Sequence, residues 1–197
     1  MMVEIDMKQE QKRTELGYKT HIYPKIKEKG VNKDYNFKDI FLSYIFGVLL
    51  TLQIVLVFFF YNYEGFEYLT WIGWSLLVPF CIFGRLPILE FKKHGEVEDG
   101  KSYVYTTKLV TSGVYSIVRH PQFLSFILLS LAIVLMSQHW IETILGIAIT
   151  ILLYLEAWRS DKGLVRKFGD DYKTYMIKVP RMNFIWGGIK ACWHKLK

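Results

Sequence analysis

Three long stretches of this chain carry no charged side chain: residues 40–61, 68–83 and 123–141, of 22, 16 and 19 residues. An uncharged, mostly apolar run of about 18 residues is long enough to cross a bilayer as a helix. In hydrocarbon only helices and closed barrels satisfy every backbone N–H and C=O. A further apolar run, 140–158, holds only Glu142 and Glu156. The chain therefore reads as an all-α integral membrane protein with about four transmembrane helices, the last two forming a helical hairpin. Its 197 residues leave room for one compact membrane domain. The 17% aromatic content and only 5 Pro exclude a disordered or collagen-like chain.

The helices expected from the pattern run over about 40–61, 68–83 with an extension toward 89, 121–136 and 140–158. Pro79 falls inside the second and would kink it. Residues 91–118 read as a long polar connection, and connections of that length are usually functional or disordered. Residues 165–175 read as an amphipathic helix or turn around Gly169, ended by Pro180, with Ile185 and Trp186 as an interfacial anchor. The organisation is a Lys-rich cytoplasmic tail at residues 1–39 and a membrane domain over 40–197.

Charge orients this arrangement. Of 25 Lys and Arg, nine lie in residues 1–38, five in 92–119 and ten in 159–197, while the connections 62–67 and 137–142 hold none. Lys and Arg concentrate on the cytoplasmic side of membrane proteins. An even number of crossings puts every basic segment on that side, so both termini are read as cytoplasmic in a multi-pass protein. The net charge of +7 is thus explained by a membrane, and no basic–aromatic motif points to nucleic acid. The two cysteines, Cys81 and Cys192, lie far apart and suggest no disulfide framework. The chain offers no closely spaced set of ligands for zinc, so no metal is expected.

The chemistry concentrates where the chain re-enters the apolar phase. Gly113 marks a turn, Tyr115 supplies a ring, and Arg119-His120 stands at a helix start with Pro121 in its first turn. A helix N-terminus offers free N–H groups and a positive dipole end to a carboxylate or phosphate. Arg119 adds a bidentate fork for the same ligand type, and His120 can exchange a proton near neutral pH. The plainer alternative makes Arg119 a positive-inside residue and His120 a helix cap. A second group, Glu156, Arg159 and Asp161, lies at the inner end of the last apolar run. Carboxylates and an Arg at one hairpin end would suit a zwitterion; the alternative is interfacial charge in surface ion pairs of little energetic weight.

The run Leu109-Val110-Thr111-Ser112-Gly113-Val114-Tyr115-Ser116-Ile117-Val118-Arg119-His120-Pro121-Gln122-Phe123 is followed by an apolar hairpin. Phe168-Gly169-Asp170-Asp171-Tyr172-Lys173-Thr174-Tyr175 and Val179-Pro180-Arg181 then follow. In order and spacing this resembles the isoprenylcysteine carboxyl methyltransferase and phospholipid methyltransferase superfamily, over residues 105–182. The resemblance implies a membrane methyltransferase using S-adenosylmethionine, with a cytoplasmic cofactor pocket at the hairpin end and a lipid or lipidated substrate approaching from the bilayer. It implies that Lys108, Leu109, Val110, Tyr115, His120, Pro121 and Phe123 line the cofactor pocket. Asp161 would meet the cofactor's polar end, Arg119 and His120 would carry the catalytic role, and Glu156 and Arg159 would face the substrate.

The chain departs from the family pattern at three places. Phe123 stands where the family usually has Tyr, and Ser160-Asp161 where it usually has a Glu pair. Glu156 falls where carboxylate-methylating members carry an Arg. The last departure leaves a cationic amine acceptor open beside an isoprenylcysteine carboxylate. Two other readings stay open: an NADPH-dependent sterol- or steroid-type membrane reductase, which resembles the same region, and a non-catalytic membrane protein of the same fold.

Overall fold

A computed structural model describes residues 37–96 and 106–195. Most of the tail read at 1–39, and residues 97–105 of the polar connection, lie outside the described residues. Helices and turns account for the described residues, with no strand among them. The elements are α1 (Phe37–Leu56), α2 (Glu67–His94), a 3₁₀ turn (Gly113–Ser116), α3 (Pro121–Ser137), α4 (Trp140–Lys178) and α5 (Phe184–Lys195).

The first helix ends five residues before the apolar run does. Beyond Leu56 the hydrogen bonds tighten, with Phe58 N–H donating to Val55 O and Phe59 N–H to Leu56 O. The connection is then tied to the end of α3 by Asn62 N–H on Ser137 O, 3.0 Å. Helix α2 is longer than the sequence suggests. It carries Pro79 and Pro87 within it and runs on through Phe91 to Lys92, Lys93 and His94, basic residues that suit the negative end of the helix dipole.

Helices α3 and α4 form the expected hairpin, joined through Gln138 in a left-handed conformation. Pro121 occupies the first turn of α3, where its missing N–H breaks no helical bond. Helix α4 does not stop where its apolar run stops, near Trp158, but continues for 39 residues in all. Its one break is Gly169, at φ 61° and ψ −132°, a conformation essentially confined to glycine. The amphipathic segment expected at 165–175 is thus the distal, bent part of the same helix.

Two helices, α2 and α4, are long and apolar enough to cross a membrane; α1 from Tyr44 and α3 are shorter apolar helices. The outward faces are greasy. Val48, Trp71, Val78, Leu131, Ile147 and Ile151 are all exposed, and contiguous apolar surface of this kind suits lipid rather than water. In lipid, helix association rests on close packing rather than on apolar burial. Small buried residues at the contacts, Ala132 on α3 and Gly146 and Ala157 on α4, let backbones approach. Ile149 and Leu153 of α4 pack with Leu50 of α1, and Phe83 of α2 packs with Val118, Leu124 and Leu128.

Candidate active site

The two sequence motifs meet through the backbone. Arg119 N–H donates to Pro180 O at 3.1 Å and His120 N–H to Arg181 O at 3.2 Å, so the Val-Pro-Arg segment lies alongside the Arg-His-Pro turn. Helix α5 holds that pairing in place. Its Gly187 sits so close to Ile117 O that a β-carbon would collide with backbone. Tyr175 on distal α4 adds a hydrogen bond from its hydroxyl to Tyr115 O, 2.5 Å.

Behind this junction lies one carboxylate. Asp161 is 2% exposed. Its Oδ1 accepts from His120 Nε2 and from the Tyr172 hydroxyl, each at 2.7 Å. Its Oδ2 accepts from Arg181 Nε at 2.8 Å. Asp161 lies past the apolar run of α4. Burial by itself pushes its carboxyl up, but the hydrogen bonds from His120, Tyr172 and Arg181, with the charge of His120, hold it well below the ordinary carboxylate range. Burial and the neighbouring Asp161 charge push the Tyr172 hydroxyl up, so it stays a donor. With Nε2 of His120 committed to Asp161, Nδ1 is the nitrogen left to exchange a proton.

Arg119 stands differently. Its Nη1 lies 2.9 Å from Asp161 Oδ1, an ion pair by distance. Yet neither Nε nor Nη1 has an aligned hydrogen-bond acceptor among the described residues, although the side chain is only 7% exposed. The Asp161 carboxylate supplies the counter-charge that a guanidinium buried this deeply needs.

Arg119 is one of the residues that line a partly open cavity of about 220 Å³. Lys108, Leu109, Val110, Tyr115, Arg119, His120, Pro121 and Phe123 all line it. Tyr115 stacks on Phe91 at 4.8 Å, and the His120 and Phe123 rings lie 5.6 Å apart and nearly parallel. Phe91 of α2, Thr106 and Gln122 also line it, and distal α4 supplies Ser160, Leu164, Lys167, Phe168, Tyr172 and Tyr175. Lys167 donates to Thr106 O, and partial burial pushes its ammonium down. The charged groups lining the cavity are Lys108, Arg119 and Lys167, with no carboxylate among the described lining residues.

Three residues singled out in the sequence stand elsewhere. Asp161 lies behind the wall with its oxygens occupied, and faces a second groove on the other side of α4. Glu156 and Arg159 are near one another, Nη1 to Oε2 at 3.9 Å, and do not line the cavity. Glu156 is one helical turn before Ser160, hence on the same face of α4 and one turn deeper toward the apolar run. Among the wall residues, Leu164 and Lys167 were not singled out in the sequence, and Phe168, Tyr172 and Tyr175 entered only as part of a motif; with Ser160 they fall on one helical face, at spacings of three and four. That helical signal was present in the pattern.

The fold and site define a helical protein with an apolar exterior and a cationic, aromatic-lined cavity beneath a helix hairpin. Residues 101–161 match the family model for the isoprenylcysteine carboxyl methyltransferase family. A protein-S-isoprenylcysteine O-methyltransferase of Schizosaccharomyces pombe is 32% identical over 73 residues, 36% of this chain and 31% of that protein. The chain thus spans about a third of the length of the curated relative it matches. No solved structure matches it. The matched segment carries the turn, the hairpin and Asp161, so the similarity to the isoprenylcysteine carboxyl methyltransferase family falls on the part of the chain that builds the site.

Proposed function

We propose that the protein is an integral membrane methyltransferase that binds S-adenosylmethionine in the cavity and methylates a lipid or lipidated acceptor. In this reading α1 to α4 make four crossings, with both termini and the cavity on the cytoplasmic side. The single observation that carries it is the cavity: an aromatic-lined hollow whose charged lining residues, Lys108, Arg119 and Lys167, are all cationic, built largely from the matched segment.

The residues present fit the cofactor. Arg119 and Lys167 suit its carboxylate end, and Tyr115, Phe123 and Phe168 offer faces for a flat base. The hollow is smaller than the roughly 300–1,000 Å³ of pockets that enclose a drug-sized ligand, so a nucleoside would extend through its open side. When bound, the cofactor supplies an electrophilic methyl group on a sulfonium. The chain's own part is to align the acceptor and exclude water. A carboxylate acceptor already bears its lone pair. An ammonium must first release a proton, and His120 in its neutral form, with Nε2–H donating to Asp161, is the group placed to take it at Nδ1. Glu156, one turn deeper, suits a cationic amine acceptor better than a carboxylate.

The cationic lining also favours a second reading, an NADPH-type reductase, because Lys108, Arg119 and Lys167 would equally suit phosphates. Calorimetric titration of the purified protein separates the two. S-adenosylhomocysteine should bind saturably, and Arg119→Gln should weaken it roughly ten- to thirty-fold, the loss of a charge-assisted hydrogen bond. Lys167→Gln is the companion variant if Arg119→Gln lowers the melting temperature. Saturable binding of NADPH in place of S-adenosylhomocysteine would establish the reductase reading, and binding of neither by folded protein would remove both.

A further inference from the structure

The face of α4 turned away from the cavity changes character along its length. Ile147, Ile151, Leu155 and Trp158 are exposed at helical spacing, and each projects outward from the bundle. Continuing by fours, the same face carries Lys162 and Arg166, also exposed. A lipid-facing stripe thus runs directly into a cationic one.

A groove of about 340 Å³ opens at that transition. Trp158, Lys162, Val165 and Arg166 of α4, Met176 beyond the Gly169 bend and Arg181 line it, with Asp161 at its floor. Lys162 Nζ lies 3.4 Å from the centre of the Trp158 ring, a cation over an aromatic face. Arg181 forms the opposite wall. Its Nε is held by Asp161 and its Nη1 donates to the Tyr154 hydroxyl at 3.0 Å, which fixes the guanidinium toward the groove's apolar end. Three cations face one carboxylate, and that carboxylate is shared with His120. Lys162 and Arg166 have no carboxylate partner among the described residues.

We infer that this groove seats the phosphate of an anionic phospholipid, its acyl chains lying along Ile147, Ile151 and Leu155 and its headgroup between Lys162, Arg166 and Arg181. Trp158 marks the headgroup level, where indole rings settle in membranes. Basic groups near a bilayer surface draw anionic headgroups. Here they are placed at the end of an apolar track rather than scattered, which selects a ligand with both a charge and chains. The inference stands independently of what the cavity on the other side of α4 binds.

The test uses the full chain in phosphatidylcholine nanodiscs. Retention of phosphatidylglycerol doped into the discs is read by mass spectrometry of the released complex. Wild type should hold phosphatidylglycerol in preference to phosphatidylcholine, and Lys162→Gln/Arg166→Gln should reduce that preference roughly five- to twenty-fold. Both side chains are exposed, so the fold survives the change. Lys92→Gln/Lys93→Gln removes the same charge at the end of α2 and should leave the preference intact. Equal loss in the two double variants, or no preference in wild type, would overturn the site. Displacement of the lipid by millimolar inorganic phosphate would overturn the lipid as its occupant, whereas retention against phosphate supports it.

Discussion

Helix α4 carries two buried carboxyl groups at opposite ends of its apolar run, and they are built in opposite ways. Asp161 is 2% exposed and its oxygens accept from His120, Tyr172 and Arg181, with Arg119 in ion-pair range. Glu142 is 0% exposed, and neither carboxyl oxygen accepts an aligned hydrogen bond among the described residues. Its polar neighbour Gln53 turns its amide to Ser130 O and to the backbone carbonyl of Glu142, and takes a hydrogen bond from the Ser130 hydroxyl. Glu142 stands in the first turn of α4, where the dipole favours an anion by up to about 2 kcal/mol. The contrast shows what the fold invests where. At the cavity end, three chain segments converge on one carboxylate and set the geometry of His120. At the other end a carboxyl group is carried with no counter-charge.

The largest expected effect follows from removing the organised carboxylate. Asp161→Ala leaves Arg119, Arg181 and His120 packed together without their common anion. Breaking a buried pair on one side typically costs about 3–5 kcal/mol. Thermal unfolding of the purified protein should show a large drop, and binding of S-adenosylhomocysteine should be lost with it. Acid should act on the same group. Its folded-state carboxyl is held low, whereas an unfolded Asp titrates near about 3.9. The stabilisation is therefore complete above that pH and falls away as pH drops through and below it. Between pH 6 and pH 3, wild type should lose stability more steeply than Asp161→Asn. Parallel pH profiles for the two proteins would break the comparison at its stronger half.

Much of the Asp161 end was legible in the sequence because its parts are nearly contiguous. Lys108 to Phe123 line the cavity as a single run of chain, so a motif could name them together. The His120–Asp161 pairing spans 41 residues, yet both ends sit at the same end of a hairpin, which apolar runs alone indicate. What stayed hidden was how far α4 continues. The charges from Arg159 onward read as the end of a span, but a helix needs only one side to pack in order to continue. Leu164, Phe168, Tyr172 and Tyr175 supply that side. Sequence spacing also could not decide which of Ser160 and Asp161, about 100° apart on the helix, faces the hollow. It is Ser160. Phe91 escaped for the same reason as distal α4, since α2 outruns its apolar stretch.

A middle-sized effect probes one donor within the network. Tyr172→Phe keeps the ring, which is 1% exposed, and deletes only the hydroxyl that donates to Asp161. A hydrogen bond to a charged group contributes about 1.5–3 kcal/mol. His120 and Arg181 still hold the carboxylate, so the loss should fall near the lower figure and leave S-adenosylhomocysteine binding measurable. A loss equal to that of Asp161→Ala would mean that Tyr172, not the carboxylate, organises the junction.

The smallest effect is expected at the other end of the helix. Glu142→Gln preserves the shape of the side chain and removes its capacity for charge. A carboxyl group with no counter-charge contributes little that a carboxamide of equal size cannot. The new amide can also donate to Gln53 Oε1 or Ser130 O, acceptors already within the cluster. The melting temperature should therefore stay level or rise, by less than about 1 kcal/mol in equivalent stability. Cofactor binding, read at the far end of α4, should not change. A loss as deep as that of Asp161→Ala would show that Glu142 has a counter-ion of its own, and the two ends of α4 would then be variations on one design rather than opposites.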